Sequence, residues 1–126
     1  MSIQGRDFLA TSRKCISTAC ESGYRSAISR AYYAFYHETC AALTCCPPTT
    51  HDGVVQYLMT DARRNQEPYE KMSLVQIGAV LKQQKTKRKL ADYQLNETVK
   101  EIEACSTIAA VEKMLIKIDE MKSRAA

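Results

Sequence analysis

Apolar side chains recur at three- and four-residue intervals along most of the chain, the spacing of amphipathic helices. No segment alternates with period two for long enough to argue a strand. The first predicted helix runs from Gln4 to about Cys20, with Phe8, the Ser12/Cys15 pair, Ile16 and Ala19 at helical intervals. "ESG" (Glu21 to Gly23) breaks it, with Gly23 read as a turn residue. A second helix spans about Tyr24 to Thr44 and stops at "CCPP", because Pro47 and Pro48 cannot continue a helix. So short a break predicts that these two helices lie antiparallel. A third helix starts in "THDGVVQYLM", where Thr50 or Asp52 can accept from the first free amides. Its apolar face carries Val54, Val55, Leu58 and Met59. "RRNQEP" (Arg63 to Pro68) reads as a surface loop. Helical spacing resumes through Leu74, Ile77, Val80 and Leu81 and ends near Tyr93. The last helix is long, with Val99, Ile102, Cys105 or Ser106, Ala109, Met114, Ile118 and Met121 near one stripe. Thr98 followed by Glu101 predicts a capping box at its start. The expected fold is all-α, a compact antiparallel bundle of about five helices in a single domain over residues 1–126.

Composition narrows the class without naming it. The 126 residues are 45% hydrophobic and 25% charged, enough apolar material for a core without staples. No apolar run approaches the roughly 18–20 residues of a membrane span, and "MSIQGRDFLATSRK" has no apolar leader segment. A cytoplasmic protein without membrane contact is expected. Six cysteines are many, yet none are spaced C-x-x-C, and His37 and His51 complete no metal pattern. Reduced thiols serving as small apolar residues, with no metal and no cofactor, are expected. Net charge is +4, and "KQQKTKRKL" (Lys82 to Leu90) holds five cations and no acid. Such a run suits either phosphate or a solvated helix face.

The second helix holds the chemistry. In "SRAYYAFYHETC" (Ser29 to Cys40), three tyrosines and a phenylalanine surround an arginine and a histidine. At about 100° per residue, Tyr24, Ile28, Ala31, Phe35, Thr39 and Ala42 share a core stripe. Ser26, Arg30, Tyr33 and His37 fall together on nearly the opposite face, and Tyr32 and Tyr36 take a third side. The polar row therefore faces a crevice or a partner chain, or closes an internal salt bridge. A buried, unpaired guanidinium would cost several kcal/mol, so Arg30 must meet acid, phosphate or water.

"YRSAISRAYYAFYHETCAAL" (Tyr24 to Leu43) resembles the second helix of HEPN domains, small helical domains associated with nucleotides and RNA. "THDGVVQYL" (Thr50 to Leu58) is similar to that family's S-H-x-G-V segment, and "KRKLADYQL" (Lys87 to Leu95) to its R-x-x-A-D-Y segment. The resemblance spans nearly the whole chain. It implies a HEPN-like bundle, commonly a homodimer, acting on RNA or a nucleotide. Many members are metal-independent ribonucleases of toxin–antitoxin, phage-defence and CRISPR-linked systems. Others are non-catalytic binding or assembly subunits beside a nucleotidyltransferase, so such an enzyme or an antitoxin-like protein is an implied partner. Nuclease members carry an arginine, four to six residues, and a histidine, paired across a dimer groove. Arg30 and His37 meet that spacing, whereas Asp92 stands where a motif later in the chain would want histidine.

Metal-free RNA cleavage needs a base for the 2′-hydroxyl, an acid for the 5′-oxygen and positive charge on the phosphate. Histidine suits the proton steps and arginine the charge. The expected catalytic set is Arg30 as phosphate clamp, Tyr33 orienting the substrate and His37 as base or acid. The expected RNA- or nucleotide-binding set is Ser26 on the second helix together with Lys85, Lys87, Arg88, Lys89, Asp92 and Tyr93 on the fourth. Arg88 and Asp92, four apart, can equally pair with each other.

Overall fold

A computed structural model describes residues 2–126. Five α-helices form the fold: α1 (Gly5–Ile16), α2 (Glu21–Ala42), α3 (His51–Met59), α4 (Lys71–Tyr93) and α5 (Glu101–Ala125), with a 3-10 turn at Ala62–Gln66. No strand occurs among the described residues, and no helix there is long and apolar enough to cross a membrane.

Helix α2 is the centre of the bundle. Phe35, Ala31, Ala27 and Ala34 are wholly buried on it, and Ile28, Thr39 and Ala42 nearly so. Tyr24, at the end of that predicted stripe, is only half-buried. Helix α1 runs antiparallel to α2: Ser12 donates to the Ala27 carbonyl at 2.6 Å, and Gly5 lies against Ala34 and His37. Helix α4 is antiparallel to α2 on another side, Arg25 reaching Ala91 and Tyr33 reaching Arg88. Helix α3 lies antiparallel on α4, with Asp52 on Lys85 and Leu58 and Met59 against Gly78. Helix α5 packs on α2 and is antiparallel to α1, through Arg13–Glu112 and Arg6–Asp119.

Several boundaries differ from the sequence reading. Helix α1 ends at Ile16 rather than near Cys20, and α2 begins at Glu21 rather than Tyr24. The reversal occupies Ser17–Cys20, with Ala19 at φ 53°. Gly23 is therefore not a turn residue. It sits buried in the first turn of α2, where a Cβ would stand 2.6 Å from the Cys15 carbonyl oxygen and 1.7 Å from Thr18 Oγ1. Leu9 is the buried apolar residue of α1, while Phe8 is half-buried and Ala19 exposed. On α5 the stripe is Ala104, Thr107, Ile108, Val111, Met114, Leu115, Ile118 and Met121, and Ile102, Cys105, Ser106 and Ala109 are exposed. Helix α5 starts two residues later than Thr98 implied: Lys100 caps it, its amide donating to Glu103 at 2.7 Å. Thr50 does cap α3, accepting from the Gly53 amide at 3.1 Å.

Two buried charged groups hold the connections. Arg25, 8% exposed, donates to the carbonyls of Ala91 (2.9 Å), Gln94 (3.1 Å) and Glu97, and its Nε to Glu21 (3.1 Å). Those carbonyls lie at and beyond the end of α4, so the guanidinium satisfies groups that no helical amide reaches. "RRNQEP" is more than a surface loop. Its Glu67 is 5% exposed and accepts from the Tyr57 hydroxyl and from the amides of Thr44 and Cys45, both at 2.8 Å. These donors, together with the Thr44 hydroxyl, hold its pKa down against the opposing effect of burial.

Candidate functional site

The polar row on α2 is open. Ser26, Arg30 and His37 are exposed and Tyr33 is half-buried. Apolar residues drive the other sides of α2 into the bundle, which leaves this side between α1 and solvent. Phe8 of α1 crosses the row at its middle. Its ring centroid lies 6.0 Å from the Arg30 guanidinium carbon, 5.5 Å from the His37 ring and 6.4 Å from the Tyr33 ring. Arg30 has no carboxylate partner among the described residues, whereas Arg6, Arg13, Arg25, Arg63 and Arg88 each have one. His37 and Phe8 also line an open cleft of about 830 Å³, bounded by Arg6, Glu38, Asp119 and Lys122. Arg6 bridges Glu38 at 2.6 Å and Asp119 at 2.5 Å, so the acids nearest His37 are already engaged.

The fourth-helix set is divided by the helix itself. Arg88 and Asp92 turn toward α2. Arg88, 9% exposed, lies over the rings of Tyr32 (5.3 Å) and Tyr33 (5.6 Å) and pairs with Asp92 at 3.3 Å. Asp92 also accepts from Ser29 at 3.2 Å, and Arg88 donates to the Tyr33 hydroxyl at 3.4 Å. The Arg88–Asp92 pair anticipated from their spacing is thus present, and Arg88 Nε has no hydrogen-bond partner among the described residues. Lys85 turns to α3 and pairs with Asp52. Lys89 and Tyr93 are exposed, and Lys87 lines a separate groove with Leu90, Ile102 and Glu103.

His51, absent from both predicted sets, stands at the junction. At the first position of α3 its ring stacks on Tyr36 at 3.7 Å with 7° between planes, and its Nδ1 lies 2.7 Å from Tyr32 Oη. The Tyr33 ring lies 6.2 Å from His37 and 6.1 Å from His51. Burial lowers the His51 pKa, and Arg88, Lys85 and His37 push it the same way. The imidazole is therefore neutral at pH 7. Burial raises the Tyr32 hydroxyl well above its usual range and Tyr36 to about 12, so both phenols keep their protons. The signal for His51 was in the sequence, inside the "THDGV" segment, but nothing local tied it to a helix twenty residues earlier.

Two cations, two imidazoles and three tyrosines thus form one continuous array over α2. Such an array offers proton exchange near neutrality, phosphate contacts and aromatic faces for a base. No group of three or more His, Cys, Asp or Glu able to hold a metal occurs among the described residues. Comparison with protein-family models, curated proteins and solved structures finds no match to this chain.

Proposed function

We propose that the chain is a HEPN-like protein that binds RNA and cleaves it without a metal ion, working as a homodimer in a toxin–antitoxin or defence setting. Arg30 clamps the scissile phosphate, Tyr33 orients it and His37 moves a proton. The observation that carries the reading is Arg30, exposed and without an acid partner among the described residues, on the same open face as His37. A guanidinium free of carboxylate matches phosphate oxygens in a planar fork and stays charged throughout. The imidazole on the same face can accept or donate a proton in the step. The cleft next to His37 gives the flanking nucleotides room, with Phe8 as an aromatic surface and Lys122 as a further cation. Wild-type protein and His37→Ala, incubated with labelled RNA in chelator, test it. The expected loss in the variant is about 10²–10⁴-fold, the range for one general acid–base group. Equal cleavage by both proteins, or none by either, overturns the assignment.

A second reading, a non-catalytic RNA- or nucleotide-binding subunit, is favoured by Lys87 and Lys89. Both are exposed and make no ion pair among the described residues. It predicts RNA affinity that falls steeply with salt, less steeply after Lys87→Ala plus Lys89→Ala, and no cleavage by any form. A flat salt response counts against it.

A further inference from the structure

We propose that His51 is the second proton-transfer group of this site, so that base and acid for RNA cleavage come from one chain. The inference rests on the RNA-cleaving reading above and adds a residue and a stoichiometry to it. Metal-free cleavage needs two proton carriers, and Arg30–Tyr33–His37 supplies one per chain. A dimer could supply the other as a second His37, but each chain already holds another imidazole nearby. Both imidazoles contact the Tyr36 ring, with centroids 5.4 Å and 3.7 Å from it, so their ring centroids are no more than about 9 Å apart, close enough for the two rings to reach one phosphate. In-line displacement puts the attacking and leaving oxygens on opposite sides of phosphorus. With a hydrogen bond of about 2.8 Å at each end, base and acid nitrogens belong on the order of 8 Å apart.

The surroundings of His51 suit the base. Nδ1 is engaged by Tyr32 Oη at 2.7 Å, and Nε2 has no hydrogen-bond partner among the described residues. A base must present a lone pair on Nε2, so in that tautomer Nδ1–H donates to Tyr32. The same hydrogen bond persists when Nε2 takes a proton, so the ring does not turn during the reaction. The groups facing the ring are Tyr32, Tyr33, Tyr36 and His37 from α2, Lys85 and Arg88 from α4, and Asp52 beside it on α3. Burial first, and then the cations Arg88 and Lys85, lower its pKa, so the resting imidazole is neutral. In the step, the 2′-oxygen bonds to phosphorus and its proton passes to His51 Nε2. The bond from phosphorus to the 5′-oxygen breaks, and that oxygen takes a proton from the His37 imidazolium. A 2′,3′-cyclic phosphate and a 5′-hydroxyl result, and solvent exchange returns both rings to their starting states.

His51→Asn leaves a group able to reach Tyr32 and removes Nε2. Metal-free cleavage by this variant should fall about 10²–10⁴-fold. The wild-type kcat/KM should rise with pH through a limb below about 6.5, where the base loses its proton, and the variant should lack that limb. Tyr32→Phe keeps the ring and deletes the acceptor for the imidazolium, so it should move the limb to lower pH. An unmoved limb, or His51→Asn within threefold of wild type while His37→Ala is inactive, overturns the role of His51 and leaves the cleavage reading standing. A refolded one-to-one mixture of His37→Ala and His51→Asn should stay inactive, since no chain holds both rings. Recovered activity would show that a site draws its histidines from two chains and would overturn the single-chain stoichiometry. Absence of cleavage by wild type overturns both readings together.

Discussion

Replacing Arg30 by methionine should separate ligand binding from folding. The guanidinium is exposed, has no carboxylate partner among the described residues, and touches the fold through the Phe8 ring at 6.0 Å. An exposed cation–π contact of that kind contributes about 0.5–1 kcal/mol. Melting entropy of about 2.1 cal/mol/K per residue gives a 126-residue chain roughly 0.26 kcal/mol/K, so Tm should fall by no more than about 4 °C. The phosphate side is larger. A charge-assisted hydrogen bond contributes about 1.5–3 kcal/mol, so RNA affinity should weaken about 10- to 100-fold. The salt dependence of binding should flatten by about one phosphate contact. Fluorescence anisotropy with a labelled single-stranded RNA over a salt series, beside thermal melts followed by circular dichroism, reads both quantities. A fall in Tm beyond 10 °C with unchanged affinity would make Arg30 a structural residue and refute the reasoning.

Arg25→Met should behave in the opposite way, costing about 3–5 kcal/mol in urea unfolding, because it strands the carbonyls at the end of α4; a cost below 1 kcal/mol would refute the cap. Gly23→Ala should destabilise by about 1–3 kcal/mol in the same assay, since its Cβ collides with the backbone oxygen of Cys15, and an unchanged midpoint would refute the close approach. The Cys20 thiol, lowered to about 7 by its hydrogen bonds with Ser22 and Thr18, should be alkylated by iodoacetamide at pH 7 well before Cys40, whose thiol burial raises; peptide mapping reads the order. The His51 pKa is depressed by folding, so its stabilising effect is complete above the unfolded value of about 6.5 and is lost as pH falls through the folded one. Stability of wild type should therefore drop between pH 7 and 5 more than that of His51→Asn, and parallel curves from chemical denaturation would count against it.

The sequence by itself determined the helical class, the order of the helices and the face of α2 that carries Ser26, Arg30, Tyr33 and His37. These follow from periodicity, and periodicity is local: 100° per residue places side chains around one helix whatever lies beside it. It also placed the end of α2 ahead of Pro47 and offered Thr50, alongside Asp52, as the cap of α3, because proline and capping side chains act on the backbone near them. Tertiary structure decided which cations are free. Arg25, Arg30 and Arg88 look alike in the chain, yet one caps α4, one meets solvent and one is roofed by Tyr32 and Tyr33. It also decided that Gly23 is a packing residue, that Glu67 is buried among four donors, and that Ile102, Cys105 and Ala109 of the predicted last-helix stripe face outward. His51 shows the reason most plainly: its role depends on Tyr32 and Tyr36, and only the packing of α3 against α2 brings those rings to it.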